Sequence, residues 1–183
     1  KNIPSINSIK SNAHALAQYS ALVQEANMVP IVEPEVLMDG SNDIKTCNQV
    51  TKMVLEETFY QLSNNNVNLS GIILKPNMIL NGSKSGIKNE TKQVAEMTLN
   101  CLKENVPTDV PGIAFLSGGQ SPEEATWHLS EMNQHDLDWN LTFSYGRALQ
   151  QPALHVWGGE NKNSPAAQDA LFERAKANGS ATI

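Results

Sequence analysis

Hydrophobic residues along this chain gather into short dense runs separated by longer segments of helical periodicity. Four runs stand out: Val29 to Val36, Gly71 to Ile79, Gly112 to Leu116 and Leu141 to Tyr145. Each is too short for a buried helix and lacks the strict alternation of a half-solvated strand, so they read as parallel strands covered on both faces. Between them, Ile44, Cys47, Val50 and Val54 recur at helix spacing, as do Val94, Met97, Cys101 and Leu102. The third helix has the clearest start: Ser121 as N-cap, Pro122 in the first turn and Glu124 completing a capping box, ahead of a stripe of Ala125, His128, Leu129 and Met132. An opening helix over Ile6 to Asn27, carrying Ala13, Leu16, Tyr19 and Val23, precedes the first strand, and a final helix over Ala166 to Ala177 follows the fourth.

The strand starts are spaced by roughly 30 to 40 residues, the length of a βαβ unit. Four such units are half of an eight-fold barrel, and an open four-stranded parallel sheet leaves two bare edges. The rival is a small doubly wound sheet, but neither GxGxxG nor GxxxxGK[ST] occurs. The expected fold is therefore α/β, a parallel (β/α) barrel of the TIM type. Residues 1–183 form one domain that supplies the last four βα units. The first residue is Lys1 rather than Met, which suggests that the natural start lies elsewhere.

Composition narrows the function classes. Of the 183 residues, 40% are hydrophobic and 17% charged, below the roughly 25% of average domains, which excludes disorder driven by charge. A formal net charge of -6 has the wrong sign for a phosphate-backbone binder, so no nucleic-acid partner is expected. No apolar run approaches the ~20 residues of a membrane span, so no membrane partner is expected either. Cys47 and Cys101 stand outside any disulfide or metal pattern, which favours a reducing cytoplasm. His14, His128, His135 and His155 show no ligand spacing, so no metal is assigned; His128, on the core stripe, reads as a packed side chain. Trp127, Trp139 and Trp157 read as packing residues, and the Asn81 to Ser83 triplet as a product of asparagine-rich composition rather than a glycan acceptor.

Three places carry candidate chemistry. The first strand ends Ile31-Val32-Glu33-Pro34-Glu35, which sets Glu33 and Glu35 on one face; close carboxylates raise one pKa toward the range useful for proton transfer. The same pattern also fits two solvated loop glutamates. The second strand ends in Lys75 before Pro76, and an amine partly desolvated at a strand mouth can attack a carbonyl to form a Schiff base, or else snorkel to water. Ser117-Gly118-Gly119 after the third strand, and Ser144 to Arg147 after the fourth, fall where barrels of this type bind phosphate. Gly118-Gly119 also fits an ordinary strand-to-helix turn.

Taken together, Val32 to Glu35, Leu74 to Met78, Phe115 to Ser121 and Leu141 to Gln150 resemble, in order and at similar spacing, the signature segments of class I fructose-bisphosphate aldolase; Asn12 to Ala17 resembles the preceding helix. The similarity runs from about Ile3 to the chain end and corresponds to the C-terminal half of that family. It implies a glycolytic lyase of the cytoplasm, without cofactor or metal and tetrameric when complete. Such an enzyme cleaves its small-molecule sugar phosphate substrate, fructose 1,6-bisphosphate, into glycerone phosphate and glyceraldehyde 3-phosphate. It also implies Lys75 as Schiff-base former, Glu33 as general acid and base, and Glu35 as tuner of the charge network. Ser117, Gly118, Gly119, Ser144, Gly146 and Arg147 would hold the C1 phosphate. The family's other active-site residues and its C-terminal tail have no counterpart in these 183 residues, so the chain is expected to be a fragment. The alternatives are a non-catalytic half-barrel acting as an assembly module and a transaldolase-like lyase, the latter disfavoured by the combined motifs.

Overall fold

The computed structural model describes residues 3–183. Helix α1 (Ile6–Glu25) leads into strand β1 (Ile31–Val32), followed by α2 (Ile44–Asn64), β2 (Ile73–Leu74), α3 (Thr91–Asn105), β3 (Gly112–Phe115), α4 (Pro122–Met132), β4 (Asn140–Phe143), α5 (Arg147–Trp157) and α6 (Ser164–Ser180). The four strands form one parallel sheet in the order β1-β2-β3-β4. Crossovers of one hand joining strands in sequential order put every connecting helix on the same side. A doubly wound sheet needs a reversal of strand order, and this one has none. The fold is thus the singly wound α/β half expected from the strand spacing.

Register explains the burial. Val32 pairs with Leu74, Leu74 with Ile113 and Ile113 with Leu141, and all four side chains are buried toward the helices. The next row, Glu33, Lys75, Ala114 and Thr142, projects from the opposite face. The apolar runs predicted cover on both faces; the structure covers one, leaving Ile31 at 45% exposure and Asn140 and Thr142 exposed. All four strands stop short of their runs, and β1 and β2 are reduced to two residues each. Prolines explain this at Pro30, Pro34 and Pro76, which have no N–H to give the ladder. Pairing persists through the remaining groups: Lys75 N donates to Val32 O at 2.7 Å, and Leu116 N to Pro76 O at 3.2 Å.

The helices follow their sequence signals closely. Ser121 accepts from Glu124 N while the Glu124 carboxylate accepts from Ser121 N, the capping box anticipated for α4. Ala125, His128, Leu129 and Met132 are its buried stripe. In α1 the stripe is shifted: Ile9, Ala13, Ala17 and Ser20 are buried, and Tyr19 is exposed. The sequence reading missed α5, placing the fourth helix only at Ala166 to Ala177. Pro152 inside α5 masked its periodicity, although it removes only one hydrogen bond. Of the three tryptophans only Trp139 packs in the core; Trp127 and Trp157 are exposed. Asn81 is buried and its Oδ1 accepts from Ile44 N at 2.8 Å at the start of α2, which explains its asparagine without a glycan. Cys47 and Cys101 are free and buried; burial pushes both thiols up, Cys101 to about 12.

Candidate active site at the strand ends

The side chains singled out from sequence converge because each follows the C-terminal end of one of four adjacent strands. Glu33 follows β1, Lys75 follows β2, Ser117 lies beyond β3 and Ser144 directly follows β4. Since Val32 sits opposite Leu74, the next residues, Glu33 and Lys75, fall side by side on the open face. Lys75 Nζ lies 3.2 Å from Glu33 Oε1, and the lysine side chain keeps only 19% exposure against 41% for its partner. The loop after β1 preserves the predicted alternation: Val32 and Pro34 are buried, Glu33 and Glu35 exposed. The two carboxylates sit beyond the strand, however, in a tight turn closed by Glu35 N donating to Glu33 O at 3.0 Å. Both line a cavity of about 730 Å³ roofed by α1.

The electrostatics separate the two carboxyls. Desolvation pushes Glu35 above the ordinary carboxylate value, the neighbouring Glu33 charge adds to the shift, and Lys75 and Arg147 oppose it. Because Lys75 and Arg147 both act on Glu35, the carboxylate pair, the amine and the guanidinium share one electrostatic neighbourhood. Arg147 is exposed at the start of α5, and Gly146 is that helix's N-cap.

The loop after β3 is shaped for backbone recognition. Gly118 and Gly119 adopt left-handed conformations at φ +53° and +75°. Side chains rarely tolerate that region, and a Cβ on Gly118 would meet Leu116 at 3.2 Å. Ser117 is buried at 6% exposure, and among the described residues no hydrogen bond uses the N–H of Gly118, Gly119, Gly146 or Arg147. Together these groups offer N–H donors, the start of a helix and one guanidinium, an arrangement suited to an anion. A cavity of about 440 Å³ opens beside Gly118 and Gly119, between their loop and the loop containing Asn81 and Gly82.

Sequence reasoning passed over the polar residues that hold this arrangement. Asn77, 1% exposed, accepts from Val36 N at 3.1 Å and donates to Thr51 Oγ1 at 3.1 Å, binding the β1 loop and α2 to the Lys75 segment. Its signal was an amide inside an otherwise apolar run. Tyr145 donates from its buried hydroxyl to Ala125 O at 2.8 Å, fixing the loop after β4 to α4. Gln120 clasps Ser117 from within its own loop, donating from Nε2 to Ser117 O at 2.7 Å. Among the described residues no group of three or more His, Cys, Asp or Glu side chains is placed to hold a metal ion, and no helix is long and apolar enough to cross a membrane.

Comparison with known proteins gives a consistent picture. The family model for fructose-bisphosphate aldolase class-I matches residues 1–183. A probable fructose-bisphosphate aldolase class 1 from Xanthomonas axonopodis pv. citri is 50% identical over the whole chain and 55% of its own length. The muscle-type aldolase of Lethenteron camtschaticum is 50% identical over 99% of the chain and 50% of its length. Among solved structures, fructose-bisphosphate aldolase from Plasmodium falciparum, crystallised with TRAP and a small molecule inhibitor, superposes with a TM-score of 0.94. It is 44% identical, over 98% of this chain and 52% of that one. The chain spans about half the length of the curated relatives it matches.

Proposed function

This chain belongs to the class-I fructose-bisphosphate aldolase family, and from that premise we propose that it is the C-terminal half of a (β/α)8 barrel that cleaves fructose 1,6-bisphosphate through a Schiff base on Lys75. The observation that carries the reading is the contact between Lys75 Nζ and Glu33 Oε1 at 3.2 Å on the open face of the sheet, with the Arg147 charge acting on the adjacent Glu35.

The chemistry follows from the geometry. An ammonium has no lone pair, so Lys75 must lose a proton before it attacks the substrate ketone, and Glu33 is the acceptor in reach. Attack forms a C–N bond, Glu33 returns its proton to the departing hydroxyl so that water leaves and an iminium forms, and the iminium nitrogen becomes an electron sink. Glu33 then takes the proton of the C4 hydroxyl; the C3–C4 bond breaks, its electron pair flows toward the nitrogen as an enamine, and glyceraldehyde 3-phosphate leaves. Protonation at C3 and hydrolysis return glycerone phosphate and the free amine. Glu35, held toward its protonated form, limits the negative charge beside Glu33. Ser117, Gly118, Gly119, Ser144, Gly146 and Arg147 hold the C1 phosphate and so fix the reacting carbons over Lys75.

Relatives named as cytosolic or cytoplasmic isozymes support a cytosolic setting, and the family resemblance supports a homotetramer for the complete protein. No observation favours the assembly-module alternative. Borohydride reduction of the full-length protein with glycerone phosphate or fructose 1,6-bisphosphate, followed by peptide mapping, tests the reading. The adduct is expected on Lys75; a label on Lys84 or Lys88 instead overturns it.

A further inference from the structure

We propose that Gln120 and His128 are positioning residues for phosphate recognition, acting together to lock the Ser117–Gly118 peptide so that the Gly118 N–H faces the anion. The inference rests on the phosphate-site reading above and adds two side chains that the reading does not use.

The Ser117 carbonyl is gripped twice, by Gln120 N at 3.1 Å and by Gln120 Nε2 at 2.7 Å. No peptide bond in the described chain is cis, so the N–H of the same peptide unit points the opposite way, away from Gln120. That N–H belongs to Gly118, and it has no acceptor among the described residues. The carbonyl grip therefore decides the direction in which the loop presents its donor. Gly118 and Gly119 both take left-handed φ and have no side chains to restrain them, so the loop by itself specifies this direction weakly.

What holds Gln120 is equally specific. Its Nε2 must face Ser117 O, because a carbonyl accepts only, and this turns Oε1 toward His128 Nδ1, which lies within hydrogen-bond distance. An amide oxygen also only accepts, so His128 must carry its proton on Nδ1. His128 is 1% exposed in the buried stripe of α4, a rigid anchor for the chain of bonds from Nδ1–H through the Gln120 amide to Ser117 O. Donation into that carbonyl polarises the peptide and strengthens its N–H as a donor. Gln120 Nε2 also lies 3.5 Å from the Sδ of Met78, three residues beyond Lys75, so the same amide registers the phosphate loop against the Lys75 segment.

The test uses the full-length protein and four variants. Gln120→Glu keeps the shape but loses the Nε2 donor, His128→Leu fills the site without a donor, His128→Asn restores an N–H, and Arg147→Ala reports on the phosphate site itself. The expected result for Gln120→Glu and His128→Leu is a KM for fructose 1,6-bisphosphate, and an inhibition constant for inorganic phosphate, raised by on the order of tenfold, corresponding to one hydrogen bond. Their kcat should stay within about threefold of the parent, and His128→Asn should recover most of the loss. Both constants within about twofold of the parent in Gln120→Glu and His128→Leu overturn the inference, as does a fall in kcat with KM unchanged. Should Gln120→Glu not fold, His128→Leu and His128→Asn decide alone. Failure of the underlying phosphate-site reading looks different: Arg147→Ala then leaves both constants unchanged.

Discussion

The side-chain oxygen of Asn77 accepts a hydrogen bond from the backbone N–H of Val36 at 3.1 Å, although 41 positions separate them in sequence. Asn77 lies two residues after Lys75 and Val36 one residue after Glu35, so a single buried amide holds the loop of the carboxylates against the segment of the amine. The same amide reaches Thr51 Oγ1 in α2, and the site is thereby tied to the helical layer behind it.

Asn77→Ala is accordingly expected to destabilise the protein by about 1–3 kcal/mol, since it leaves a backbone N–H and a buried hydroxyl short of partners. It should also reduce kcat as the Lys75–Glu33 contact loosens. Urea unfolding and steady-state kinetics on the full-length protein check the two effects; a variant unchanged in both removes the clamp from the account.

Arg147 is exposed and forms no ion pair with another described side chain, so its charge is free for a ligand. Replacing it by Ala is expected to lower kcat/KM for the bisphosphate by a factor on the order of 10 to 100, the range of a charge-assisted hydrogen bond. Equal kinetics in parent and variant would exclude Arg147 from the phosphate site.

Glu33→Gln keeps the shape of the carboxylate but cannot exchange a proton, so turnover should fall by about 10² to 10⁴ while substrate binding holds. Trapping should find the Lys75 adduct forming more slowly than in the parent, because Glu33 also takes the amine's proton. If Glu33→Gln leaves kcat within about threefold of the parent and Glu35→Gln abolishes it, the raised Glu35 carboxyl, and not Glu33, is the proton carrier.

Burial holds the His128 imidazole below its ordinary pKa, and the nearby Glu124 charge offsets this only in part. The unfolded chain therefore binds a proton near the ordinary histidine value of about 6.5 that the folded chain resists. Stability from this group is present above that pH and is lost as the pH falls through it. Thermal unfolding between pH 7.5 and about 5.5 should show a steeper decline for the parent than for His128→Asn; parallel curves would mean that His128 is protonated at no cost in the folded state.

Local signals determined much of this protein. The apolar runs located all four strands, the Ser121-Pro122-Glu124 box located the start of α4 to the residue, and the alternation Val32-Glu33-Pro34-Glu35 set the two carboxylates on one face. These features depend on backbone periods and caps, which neighbours in sequence dictate. Helix α5 was not read from the sequence, because Pro152 interrupts its pattern.

Only the tertiary structure decided which face of the sheet stays open, and that Glu33 rather than another acid meets Lys75. The register Val32 opposite Leu74 makes the second choice, and register is a relation between strands that no local pattern states. Asn77, Gln120 and His128 were visible as an amide in an apolar run, the tail of a glycine loop and a histidine on a core stripe. Their work lies in bonds to Val36, Ser117 and one another. A buried polar group must find a partner, but which partner it finds depends on where the fold brings distant backbone, and that is settled only when the helices and strands pack.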